Sequence, residues 1–110
     1  MTVDSISEKN TVCDLKEQIE YSQGGIVSKQ IVKNASGNVT LFSFDKGQGL
    51  SEHTAAFDAL VQVLEGQAEI RIAGHPHLLK VGQVIIMPAH VPHALHVVEN
   101  FKMLLTMIKA

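Results

Sequence analysis

The 110-residue sequence is poor in aromatic residues: it has no tryptophan, and aromatic residues amount to 5% of the chain. Hydrophobic residues still make up 45% and charged residues 18%, which is ordinary for a globular protein and excludes a disordered chain or a collagen-like repeat. A chain of this length is too short to build two well-packed cores. The sequence therefore predicts a single core made of aliphatic side chains.

The sequence also lacks an excess of basic residues, long apolar runs and a second cysteine. These absences exclude several classes of binding partner and cellular compartment. The formal net charge is -2, so the chain lacks the basic excess that binding to nucleic acid or to an anionic membrane surface requires. Its apolar runs are all shorter than the roughly 18 residues of a membrane-spanning helix. The single cysteine, Cys13, cannot form an internal disulfide, and residues 1–10 are too polar for a signal peptide. We therefore expect a cytoplasmic protein that binds neither nucleic acid nor membrane.

Short runs of Val, Ile, Leu and Phe fill the chain after Gly25, and each run ends at a turn-forming residue. This spacing is typical of an all-β sandwich or barrel, and the sheets should be antiparallel because no room is left for crossover helices. The predicted strands are 26–33, 39–44, 50–53, 59–64, 67–72, 77–80, 84–87, 93–98 and 101–108.

The residues before Gly25 have a different pattern. Val12, Leu15 and Ile19 recur at helical spacing, which predicts a short helix over 12–21. The expected organisation is thus a tail with a short N-terminal helix over 1–25, followed by a β-barrel over 26–110.

The placement of histidines is the most informative chemical feature of the sequence. His53 follows a glycine-rich turn, and His90, His93 and His96 lie close to the two prolines of 88–92. Imidazoles that converge from two strands can bind a transition metal. Because side chains alternate along a strand, His93 and His96 point to opposite faces. His53 and His93 are therefore the primary candidates.

The spacing around these histidines resembles the cupin family, which is marked by two motifs. The first motif is Gly, five residues, His-x-His, three or four residues, Glu, six residues, Gly. Its positions here are occupied by Gly47, His53, Ala55, Ala59 and Gly66. The glycines and the first histidine match, whereas alanine replaces both the second histidine and the glutamate.

The second motif of the family is Gly, five residues, Pro-x-Gly, two residues, His, three residues, Asn. Its positions here are occupied by Gly82, Pro88, His90, His93 and Val97. The resemblance implies an antiparallel double-stranded β-helix, a jelly-roll barrel. It also implies that the barrel holds a divalent transition metal on two His and the Glu of the first motif and the His of the second.

Only His53 and His93 match that ligand set. His90 replaces a turn glycine and is the candidate third ligand. Asp58 lies beside the expected glutamate position, but its use would require a one-residue strand slip that turns Val61 and Val63 out of the core. The sequence therefore predicts a metal site on His53 and His93 with His90, for Zn, Ni, Fe or Mn, or no bound metal.

Two functions stay open at this point. The first is a barrel that binds a small molecule with at most a weak divalent-metal site, favoured because two ligands are missing. The second is a metal-dependent oxygenase or isomerase that uses His53, His93 and His90. The long strands at both ends and the family resemblance also predict a homodimer.

The remaining histidines, the methionines and the cysteine are interpreted as surface or structural residues. His75 and His77 are interpreted as surface residues of a hairpin. Met87, Met103 and Met107 are interpreted as aliphatic filler, with Met107 far from both motifs. Cys13 is expected to be non-catalytic, since nothing pairs it with a base.

Overall fold

The computed structural model describes residues 9–110, and this part of the chain forms nine β-strands in two sheets. The strands are β1 (Ile26–Asn34), β2 (Gly37–Phe44), β3 (Gly49–His53), β4 (Phe57–Glu65), β5 (Gln67–Ile72), β6 (His75–Lys80), β7 (Val84–Met87), β8 (His93–His96) and β9 (Phe101–Lys109). The larger sheet has the order β1-β2-β9-β4-β7 and the smaller one β3-β8-β5-β6, with antiparallel pairing throughout. The predicted all-β antiparallel class is confirmed.

The core lies between the two sheets, and the alternation of buried and exposed side chains on β4 shows which face is turned inward. On β4, Ala59, Val61 and Val63 are buried, while Asp58 before them and Gln62 among them are exposed. The Asp58 carboxylate accepts a hydrogen bond from the backbone N–H of Ala89 at 2.9 Å on the outer side. The strand therefore has the register predicted from the motif spacing, without a slip.

Gly66 joins β4 of the larger sheet to β5 of the smaller one. Its φ is +75°, a left-handed conformation that favours glycine, and a Cβ at this position would lie 2.2 Å from the carbonyl oxygen of Asn100. The motif glycine is thus required by close backbone contact. This turn sends the chain from one wall of the barrel to the other.

The predicted N-terminal α-helix over 12–21 is wrong. Over these residues the structure has only a 3-10 helix, Leu15–Gln18, followed by extended backbone at Ile19. Side chains of the larger sheet instead donate hydrogen bonds to carbonyl groups of this segment: Lys102 to Lys16 at 2.6 Å, Lys29 to Gln18 at 2.5 Å and Ser43 to Glu20 at 2.7 Å. In a helix over 12–21 the Lys16 carbonyl would be bonded internally. A helix of this length is marginal in isolation, so these tertiary contacts decide the conformation.

The N-terminal segment covers part of the outer face of the larger sheet. Ile19 packs on Leu41, and Cys13 and Leu15 lie against the same cluster. Among residues 9–110 there is no helix with the length and hydrophobicity needed to cross a lipid bilayer.

Tyr21 anchors the end of this segment. Its hydroxyl donates a hydrogen bond to the Glu65 carboxylate, and the ammonium of the buried Lys102 lies 5.2 Å from the centre of its ring. Burial raises the pKa of Tyr21 far above its ordinary value, and the hydrogen bond to Glu65 and the charge of that carboxylate raise it further. The neutral phenol is therefore the form that the fold stabilises.

We expect Tyr21→Phe to lower the free energy of unfolding at pH 7 by about 1 kcal/mol through loss of this hydrogen bond. Below pH 10 the contribution of Tyr21 is complete. Above it, the unfolded chain releases the phenolic proton while the folded chain keeps it, so stability falls as pH rises. Urea unfolding of both proteins at pH 7, 9 and 11 should show the gap between them narrowing at alkaline pH. A gap that stays constant would contradict the assigned role of the phenol.

Candidate functional site

An apolar cavity of about 260 Å³ lies between the two sheets. It is lined by Phe42, Leu50, His53, Ala55, Ala59, Met87, His93, Ala94, Leu95, Met103, Leu105 and Met107. The two histidines are the only members of this set whose side chains carry nitrogen or oxygen. A cavity of this kind, apolar with a few polar groups, is typical of small-molecule binding sites.

The two histidines meet because β3 pairs with β8. His53 ends β3, His93 begins β8, and the two residues are partners in the strand register. Their ring centroids are 4.4 Å apart at an interplanar angle of 68°. His93 is buried, at 6% exposure, whereas His53 is exposed, so the pair lies where the cavity meets solvent.

Both imidazoles are oriented by the same local hydrogen bond. Nδ1 of His53 lies 2.7 Å from the carbonyl oxygen of Ser51, and Nδ1 of His93 lies 3.1 Å from that of Val91. A carbonyl oxygen can only accept, so each Nδ1 carries the hydrogen and each neutral ring keeps a lone pair on Nε2. The site thus offers two acceptor nitrogens beside an apolar cavity.

His90 has a different role from these two. Its φ is +65°, the left-handed conformation of the turn glycine that the second motif expects, and its side chain is exposed. Its backbone N–H donates to the carbonyl of Ala55 at 2.8 Å. Across residues 9–110 no group of three or more His, Cys, Asp or Glu side chains is placed to hold a metal ion. His90 therefore forms no such cluster with His53 and His93, and its backbone ties the turn before β8 to the segment between β3 and β4.

The residues present do not fit the divalent ion that the motifs imply. Ala55 and Ala59 line the cavity together with His53 and His93, so the strand register is right but the two ligand positions carry methyl groups. Two imidazoles are fewer than the three protein ligands of a typical catalytic zinc site. No step of a reaction is therefore assigned to a divalent metal.

One prediction about the lining is wrong. Met107 is not far from the motifs, because the pairing of β4 with β9 places it directly opposite Ala59. Met87 on β7 is the partner of Ala59 on the other side. The other histidines lie where the pattern predicted, with His75, His77 and His96 all exposed.

Comparison with known proteins agrees with the geometry of the barrel. The sequence profile of a cupin domain matches residues 40–109. The chain belongs to the cupin family. No curated protein matches it significantly.

Solved structures extend this similarity over the whole cupin barrel. A conserved protein of unknown function from Streptococcus pyogenes is 38% identical over 100% of this chain and 96% of its own, with a TM-score of 0.89. A cupin 2 conserved barrel domain protein from Leptotrichia buccalis is 44% identical, with a TM-score of 0.83; the match covers 86% of this chain and 46% of that protein. A cupin superfamily protein from Desulfitobacterium hafniense is 25% identical over 100% of both chains, with a TM-score of 0.88.

The double substitution Ala55→His and Ala59→Glu should restore a divalent-metal site. The introduced imidazole and carboxylate would face His53 and His93 across the cavity, and we expect Zn²⁺ or Ni²⁺ to bind at least a hundredfold more tightly, about 3 kcal/mol. Without metal the variant should unfold more easily than the parent, because a carboxylate is then buried without a partner.

Competition titrations on the parent, the double variant and His93→Ala check this expectation. A folded double variant that gains no affinity would show that Ala55 and Ala59 do not face the histidines. A parent that binds tightly and loses nothing in His93→Ala would show that the histidine pair is not the site.

Proposed function

We propose that this cupin binds a small, mostly apolar molecule in the barrel cavity and holds its one hydrogen-bond donor on Nε2 of His53 or His93. The observation that carries the proposal is the pair of oriented imidazole acceptors beside an otherwise apolar lining. A ligand that leaves these nitrogens unpaired loses hydrogen bonds to water without replacement, so a donor group on the ligand is favoured.

The volume of the cavity supports a ligand about the size of one substituted ring. An apolar protein cavity of about 150 Å³ holds benzene. The cavity of this cupin, at about 260 Å³, therefore has room for a ring with a hydroxyl and one or two further substituents. A phenol-like alcohol is the ligand class we propose.

The alternative is a metal-dependent oxygenase or isomerase that uses His53, His93 and His90. It has less support, because Ala55 and Ala59 supply no ligand and His90 is exposed. A weak divalent site on His53 and His93 is compatible with the binding proposal but is not needed for it.

Phenol and toluene are a matched pair of probes, since they differ by a hydroxyl in place of a methyl group. We expect the parent to bind phenol at least fivefold more tightly than toluene, the equivalent of one hydrogen bond of about 1 kcal/mol. The preference should disappear when both His53 and His93 are changed to Leu, and Ala59→Leu should weaken binding of both probes by narrowing the cavity. Amide chemical shifts of isotope-labelled protein measure these affinities.

Exposed His77→Leu is the control and should behave as the parent does. Equal affinity for the two probes in the parent would contradict the role of the imidazoles. Undiminished binding to a folded Ala59→Leu variant would place the ligand outside the cavity.

We further propose that two copies of the protein pair through the part of the larger sheet that the N-terminal segment leaves uncovered. The outward-facing residues there are Leu60, Gln62, Val84, Ile86, Thr106 and Ile108, with Asp58 beside Ile108 at the end of β4. Asp58 is the one charged residue of this set, and Val84, Ile86 and Ile108 are 55%, 60% and 59% exposed. A mostly apolar face whose single carboxylate lies at its edge can pack on its own two-fold copy with the carboxylates kept at the rim.

Light scattering should give about 24 kDa, twice the 12.0 kDa chain. Ile86→Lys with Ile108→Lys should shift the protein to the monomer, because both lysines would face their own copies. Val98→Lys is the control, since Val98 is 73% exposed but lies outside this face. A parent that runs as a monomer at micromolar concentration, or a lysine variant that stays dimeric, would refute this interface.

A further inference from the structure

Methionine is concentrated at the barrel cavity. The chain has four methionines, and three of them, Met87, Met103 and Met107, line the cavity that holds the histidine pair. No carboxylate or thiol from residues 9–110 lines it. The donor atoms that these residues offer to the cavity are therefore two imidazole nitrogens and three thioether sulfurs.

Two of these methionines flank the position where the first motif expects a glutamate. Ala59 on β4 is the register partner of Met87 on β7 and of Met107 on β9. Directly opposed residues share a face, with their Cβ atoms roughly 5 Å apart. The methyl group of Ala59 thus lies between the long, flexible side chains of Met87 and Met107. Where the motif has a hard carboxylate oxygen ligand, this chain has a soft thioether sulfur on each neighbouring strand.

This donor set selects against the usual divalent ions. Carboxylate and water oxygens suit Mg²⁺ and Mn²⁺, and zinc takes at least three His, Cys or carboxylate ligands in typical sites. Thioether and imidazole ligands together suit Cu(I). The cost of moving an ion into an apolar cavity grows with the square of its charge, so a monovalent ion pays about a quarter of the desolvation of a divalent one.

The histidines are already oriented as metal ligands require. Each Nδ1–H is held by a backbone carbonyl, which is the usual outer-sphere contact of a metal-binding imidazole and leaves Nε2 as the ligating atom. His93 is buried and His53 exposed, so the imidazole pair is accessible from solvent, and Met87 and Met107 line the same cavity.

We propose that the cavity binds one Cu(I) ion through Nε2 of His53 and His93 together with the thioether sulfurs of Met87 and Met107. The proposal concerns the same cavity as the proposed function, but it depends on the donor atoms and not on any organic ligand.

Anaerobic titration of Cu(I) against a chromophoric Cu(I) chelator tests the proposal. We expect one equivalent to bind the parent, and Met87→Leu with Met107→Leu to weaken binding at least tenfold. His93→Ala should weaken it further. His77→Ala is the control and should leave the affinity unchanged, since that imidazole is exposed on the outer hairpin. Zn²⁺, titrated against its own chelator, should bind the parent at least a hundredfold more weakly than Cu(I).

X-ray absorption at the copper edge gives an independent readout, with sulfur neighbours expected in the parent and lost in the double leucine variant. Copper affinity unchanged by the leucine substitutions would overturn the assignment of the thioethers, and affinity unchanged in His93→Ala would overturn the site. Zn²⁺ binding as tightly as Cu(I) would overturn the selectivity.

The leucine variants also separate this proposal from the proposed function. Methionine and leucine are similar in volume, so the fold and the cavity should be retained, as circular dichroism and thermal unfolding would verify. Phenol should still bind the double leucine variant. If the double leucine variant loses copper binding but keeps phenol binding, the copper site is supported. If phenol does not bind the parent, the proposed function is contradicted, but the copper titration still tests the copper site.

Discussion

β4 is hydrogen-bonded to β9 on one side and to β7 on the other, and its register determines what the rest of the barrel can do. A slip of one residue would turn Ala59, Val61 and Val63 outward and bring the carboxylate of Asp58 into the core. The hydrogen bond from Ala89 to Asp58 and the backbone contact at Gly66 oppose such a slip from the two ends of the strand. The composition of the cavity follows from this register, because it aligns Met87 and Met107 with Ala59.

Much of the fold could be predicted from the sequence because turn residues mark where strands end. The predicted strands 67–72 and 84–87 coincide with β5 and β7, since glycine, proline or a polar pair closes each of them. The prediction of an N-terminal helix was wrong because the hydrophobic spacing there fits two conformations. The spacing of Leu15 and Ile19 is satisfied equally by a chain that lies on a sheet, and only tertiary hydrogen bonds from Lys29, Ser43 and Lys102 decide between the two conformations.

Only part of the candidate site could be predicted from the sequence. Motif spacing identified His53 and His93 because both lie at strand ends whose position the glycines and prolines determine. The contribution of Met107 could not be read from spacing, since it depends on the pairing of β4 with the last strand of the chain. In a sequence, a methionine in a strand cannot be distinguished from any other apolar core residue. Its sulfur can be assigned to the site only when the structure shows which residue lies opposite it.

The two alanines of the first motif change the electrostatics of the cavity and not its shape. A glutamate at position 59 would place a negative charge in the interior, which a divalent cation could neutralise. With alanine there, every lining side chain can be neutral, and two oriented lone pairs are the principal polar feature. Such a cavity has no means to compensate a doubly charged ion, but it favours a neutral hydrogen-bond donor or a soft monovalent cation. The two alanines therefore change the donor atoms of the cavity, while the backbone carbonyls of Ser51 and Val91 still orient the two imidazoles.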